Sequence, residues 1–157
     1  MKILKKMAFL LFLSFVAIQF YRPSKNQSPG DHTSRFLLET NPSGSVKVML
    51  NQACYDCHSN HTDYPWYNNV APVSFWLAYH VKDGKKQLNF SDWQNYTEEK
   101  KAYMLEEVIE MVLEGKMPLK KYTWLHEEAR LTEKQRDEIG EWAKRTSALY
   151  RLNRRPK

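Results

Sequence analysis

Five consecutive residues, Cys54-Tyr55-Asp56-Cys57-His58, carry the most specific chemistry in the sequence. Two thiols three positions apart on a helical turn can add to the two vinyl groups on one edge of a porphyrin, and the adjacent imidazole can then reach its iron. One short segment would fix both a haem edge, through thioethers at Cys54 and Cys57, and the proximal iron ligand, His58. Two other chemistries use similar residues. A thioredoxin-like redox pair wants a strand before Cys-x-x-Cys and a helix after it, whereas here a helical pattern comes first. A zinc site from Cys54, Cys57, His58 and His61 would crowd four ligands into one short stretch, leaving a tetrahedral cage no separate segments to organise.

The sixth position on such an iron has two candidates. Met117-Pro118 follows a helical stretch, where a thioether can close the distal face. Met104 and Met111, inside that stretch, read as gap-filling core residues. His80 is the rival ligand, one turn from Trp76; its alternative is a buried histidine bonded to backbone or to a propionate. His61 is too near His58, His126 precedes Glu127 and Glu128 in a polar stretch, and His32 falls in a linker, so none of these is assigned a role.

Placing these groups requires a domain, and 157 residues suit one domain with an anchor. Aromatic residues at 13% fit a fold that must enclose something large and flat. The formal charge is +6, but Lys2, Lys5 and Lys6 precede the first acidic residue, Asp31, so residues 22–157 carry 21 − 18 = +3. That balance is far from the basic stripe of a nucleic-acid binder. Both cysteines sit in one motif and cannot supply the spread disulfide framework of a small secreted fold.

The three lysines lead into an apolar run from Met7 to Phe20, the order found in signal segments and N-terminal anchors. Residues 1–21 are expected to be an uncleaved single-pass anchor in a bacterial inner membrane, with lysines inside and the domain facing the periplasm. Export of this kind agrees with covalent haem attachment. Residues 22–44, rich in Pro, Ser, Asn and Gly, read as a linker, and residues 45–150 as the haem-binding domain.

Within that domain, Val46, Met49, Leu50, Ala53 and Cys57 mark a helix leading into the motif. Asn60, Asp63, Pro65, Asn68 and Asn69 mark a loop whose tyrosines and Trp66 can cover a ligand. Pro72 suits the start of a helix that Gly84 would end. Ser91 with Gln94 resembles a capping box, Thr97 can cap the helix of Met104 to Val112, and Thr132 with Gln135 begins the last helix. No strand alternation is visible, so the fold class is all-α.

The order of helix, attachment motif, late Met-Pro and C-terminal helix resembles class I cytochromes c. The chain is also similar, from about Gln19 to Ala143, to the bacterial haem-binding domain family, whose members look like membrane-anchored monohaem cytochromes c. The similarity rests on Cys54 to Asn60, Tyr64-Pro65-Trp66-Tyr67, Ala71-Pro72-Val73-Ser74, His80-Val81, Leu88 to Trp93, and Met117-Pro118-Leu119 with Tyr122, Leu125 and His126. Where that family often has Gly-Arg, this chain has Gly84-Lys85, so a propionate contact from arginine is not carried over. The resemblance implies a cytochrome c-like domain around one haem c, held covalently by Cys54 and Cys57 with iron on His58. The expected function is one-electron transfer with redox partner proteins at the membrane; the alternatives are a haem enzyme such as a peroxidase, with His80 as its base, or a haem-based redox sensor. Trp66, Trp76, Trp93 and the helix carrying Met104 to Val112 are expected to pack against the haem.

Overall fold

The computed structural model describes residues 1–152. Among them every regular element is helical, and the one strand-like feature is an isolated antiparallel bridge between Gln27 and His61. The elements are α1 (Lys2–Ile18), α2 (Ser34–Thr40), α3 (Gly44–Ala53), α4 (Tyr55–His58), α5 (Val73–Gln87), α6 (Glu98–Leu113), α7 (Lys120–Thr123) and α8 (Glu133–Arg151), with short 3-10 turns between some of them.

The expected membrane anchor is corrected. A span takes about 20 apolar residues; α1 has 17 residues, three of them Lys2, Lys5 and Lys6, and no helix of the described residues is long and apolar enough to cross a membrane. The single-pass inner-membrane anchoring from which the domain was expected to face the periplasm therefore falls. Just past α1 the chain is fastened to the domain: the Gln19 side chain donates to the Ala71 carbonyl at 3.1 Å and accepts from its N–H at 2.9 Å.

Residues 22–44, read as a linker, contain α2, and Phe36 on that helix is only 1% exposed. Its ring meets Phe90, Trp93 and Trp142 at centroid distances of 4.6, 5.0 and 6.0 Å, so the segment supplies the centre of an aromatic core. The Trp142 indole N–H donates to the Thr40 carbonyl at the end of α2. Glu39, also on α2, pairs with the buried Lys101 at 2.7 Å and accepts from the Tyr150 hydroxyl at 2.8 Å, joining α2 to α6 and α8.

α6 and α8 form the most extensive helix pair, with Leu105, Val112, Ile139 and Ala143 buried between or beside them. Both start where side-chain caps satisfy free N–H groups: the Thr97 hydroxyl accepts from Lys100 N, and Thr132 with Gln135 makes a reciprocal capping box. The Ser91–Gln94 box is replaced by Asn89, whose side chain accepts from Ser91 N and caps a 3-10 turn over Phe90–Asn95. Gly84 does not end its helix. α5 runs through it to Gln87, for a reason that lies in the site.

Candidate functional site

α3 carries Val46, Met49 and Leu50 into the core, and the backbone then breaks at Cys54 (φ −126°, ψ −44°) before the single turn of α4. The His58 amide donates back to the Cys54 carbonyl at 2.9 Å, so thiols and imidazole share one turn. The turn is held on several sides. The Thr62 hydroxyl donates to the Asp56 carbonyl at 2.6 Å, and the Asn26 side chain reaches both the Ser59 carbonyl and Thr62 at 2.9 Å. Asn26 belongs to the stretch read as a linker, so that stretch braces the motif.

α5 lies directly against the motif. A Cβ at Gly84 would stand 2.7 Å from the Cys57 carbonyl oxygen, closer than side chains approach backbone, and 3.2 Å from the Cys57 Cβ. The glycine serves close helix contact rather than helix termination. Just past α5, the Leu88 carbonyl lies 3.0 Å from His58 Nδ1. Burial lowers the His58 pKa, keeping the ring neutral, with Nδ1–H donating to Leu88 and the Nε2 lone pair free to bind a metal.

Two apolar cavities flank this imidazole. One, of about 250 Å³, is lined by Cys54, Leu88, Phe90, Met104, Val108 and Met111 among others. The other, of about 230 Å³, is lined by Cys57, Tyr79, His80, Asp83, Gly84 and Tyr122 among others. Ala53, His58, Gln87, Met117 and Pro118 line both. Each thiol therefore borders its own cavity, and the two cavities meet at His58 and Met117. A flat, mostly apolar group with one edge across both thiols fits that arrangement, as does an iron ligand set of imidazole and thioether.

Met117 is held by the end of α6, where its N–H and that of Lys116 both donate to the Met111 carbonyl at 2.9 Å, past the left-handed Gly115 (φ 66°). His80 borders only the cavity at Cys57; its Nδ1 bonds the Trp76 carbonyl at 2.8 Å and its ring lies 4.1 Å from that of Trp76. Met104 packs against the core, and with Val108, Met111 and Val112 of the same helix it also lines the Cys54 cavity.

The tryptophans depart from expectation. Trp66 is 79% exposed, Trp93 is buried in the aromatic core with its N–H on the Tyr150 hydroxyl, and Trp76 covers His80; none of the three lines either cavity. Leu88, Phe90 and Tyr103 take that place. Lys85 points away as well, its ammonium donating to Asn26 Oδ1 at 2.6 Å.

The rival chemistries are poorly served. Burial pushes both thiols up to about 12, the reverse of the lowered pKa of a reactive redox cysteine. His61, with 46% of its side chain exposed, stacks on His32 rather than turning toward Cys54, and among the described residues no three His, Cys, Asp or Glu side chains are arranged for a metal ion.

Sequence reasoning gave no role to Asp56, Tyr122 and His126, and gave Tyr67 only that of a cover; together they form a cluster on the Cys57 side. The Tyr122 hydroxyl donates to Asp56 Oδ2 at 2.8 Å, its ring stacks on His126 at 4.2 Å, and His126 bonds Tyr67 at 2.7 Å and Glu128 at 3.1 Å. The clustering of Tyr122, Leu125 and His126 soon after Met117-Pro118 was the available signal, and it carried no partner.

The family profile of the haem-binding domain matches residues 13–145, which include every residue named in this site. No curated protein and no solved structure matches the chain.

Proposed function

The chain belongs to the haem-binding domain family, and we propose that it binds haem covalently as a c-type cytochrome and passes single electrons. When bound, the haem supplies an Fe(III)/Fe(II) couple. Cys54 and Cys57 would hold it through thioethers, with His58 Nε2 as proximal ligand and Met117 as distal ligand.

The observation that carries this reading is the junction of the two cavities at His58 and Met117, with one thiol on each side. The Leu88 carbonyl fixes the tautomer and rotation of His58. The Met117 backbone is held by the Met111 carbonyl, so both donors stand on hydrogen-bonded segments. A rigid donor pair suits electron transfer better than turnover, which needs an open position on the metal. The physiological partners under this proposal are redox proteins.

The test is a pyridine haemochrome spectrum together with the intact mass of the purified chain. The proposal expects one haem per chain, covalently retained after denaturation, and a long-wavelength methionine-to-iron charge-transfer band in the oxidised protein. A colourless protein with the mass of the polypeptide alone would end it.

A second reading has its own support. His80 borders the Cys57 cavity with Nδ1 committed to Trp76, which leaves Nε2 for acid–base work at an open iron position, as in a peroxidase. Fast cyanide binding without loss of a protein ligand would favour that reading over the carrier.

A further inference from the structure

We infer that Tyr122 is a positioning residue that ties the Met117 loop to the haem-attachment turn, setting how firmly the methionine thioether is held opposite His58. This rests on the reading of Met117 as distal ligand. Tyr122 stands on α7, which begins two residues after Pro118; the Leu119 carbonyl accepts from the Tyr122 N–H at 2.9 Å and from the Thr123 N–H at 3.1 Å, so Tyr122 is tied to the chain directly following Met117-Pro118. Its hydroxyl reaches Asp56, two residues before His58, at 2.8 Å. One hydrogen bond thus joins the segment carrying each proposed iron ligand.

Both ends of this bridge are fixed. Asp56 Oδ2 takes Tyr122 while Oδ1 accepts from the Asp63 N–H at 2.9 Å. The Tyr122 ring is stacked on His126 at an interplanar angle of 14°, and His126 is held in turn by Glu128 on Nδ1 and Tyr67 on Nε2. Burial and the neighbouring Asp56 charge raise the Tyr122 pKa, so the phenol stays protonated and remains a donor to a carboxylate, the stronger class of hydrogen bond. Asp56, Cys57, His58, Met117 and Tyr122 all border one cavity, so the bridge closes the side on which the thioether must be retained. A packing tyrosine would need only its ring; the charged acceptor two residues from His58 gives the hydroxyl its function.

The experiment compares the purified full-length, haem-loaded chain with its Tyr122→Phe variant, which keeps the ring and removes the donor. Imidazole is titrated into the oxidised proteins while the charge-transfer band is followed, and amide hydrogen exchange is measured over residues 116–123. Loss of a charge-assisted hydrogen bond predicts imidazole binding about tenfold tighter or more and exchange faster by a similar factor, with haem content unchanged. Asp56→Asn, a second variant should Tyr122→Phe fold poorly, changes both readouts in the same direction by less. Imidazole affinity and exchange both unchanged, with the band present in the parent, overturn the clamp and leave the proposed function standing. A parent chain without covalent haem overturns both.

Discussion

Gly84 touches Cys57: no atom larger than hydrogen fits between the α5 backbone and the Cys57 carbonyl, since a Cβ there would approach that oxygen to 2.7 Å. The contact is backbone against backbone, so it cannot be relieved by a side-chain rotation. It brings the Leu88 carbonyl, a turn further on, within reach of His58.

Gly84→Ala is therefore expected to push α5 off the attachment turn. Overpacking of this kind costs about 1–3 kcal/mol. Urea unfolding of the variant should show a lower midpoint, and haem incorporation per chain should fall with it. An unchanged midpoint and full incorporation would mean that α5 does not sit so close.

Cys54→Ser with Cys57→Ser removes both proposed thioethers and leaves apolar cavities of about 250 and 230 Å³ without a covalent occupant. The double variant is expected to lose covalent haem and to be poorly folded. Circular dichroism checks this, and a native-like spectrum with a cooperative melt would refute it.

Met117→Ala and His80→Ala separate the two distal candidates. The first should keep covalent haem and lose the methionine charge-transfer band; the second should keep both, because His80 borders one cavity only and bonds Trp76. A parent chain that holds covalent haem but shows no such band, with a spectrum that changes in the His80 variant and not in the Met117 variant, would reverse the assignment.

The pair of buried Lys101 and partly buried Glu39 fastens α2 to α6, with Tyr150 donating to the same carboxylate oxygen. Lys101→Met should cost about 1–3 kcal/mol, because it leaves a partly buried carboxylate with Tyr150 as its remaining donor, and adding Glu39→Gln should recover much of that loss. Denaturation midpoints of the two single variants and the double variant form the cycle that measures this. Costs of the two single variants that simply add in the double variant would show that the pair is not coupled.

Much of the site's chemistry was legible because it is local in the chain. Cys54, Cys57 and His58 share one turn, and the caps at Thr97 and Thr132 depend on residues three positions away. The all-helical class came from periodicity. Met117 could be proposed as a donor from its place after a helix, but not that it would border the same cavities as His58.

Where local reading failed, a distant contact had intervened. The stretch with Pro23, Pro29 and Pro42 looked like a linker, yet Phe36 within it fills the aromatic core and Asn26 braces the motif. Gly84 looked like a stop signal until α4 was packed on it, and the three tryptophans were expected around the haem, whereas burial places Trp93 in the core and leaves Trp66 in solvent. The N-terminal run was apolar enough to suggest a span, but α1 is too short once its lysines are counted.

The sequence by itself determined which atoms are available for covalent attachment and metal binding, because bonds across three or four residues are set by helical geometry alone. The tertiary structure decided which residues face one another: Gly84 and Cys57, Leu88 and His58, Tyr122 and Asp56. Those pairs are separated by tens of residues, and only the packing of the whole chain, which no local propensity encodes, fixes their distances.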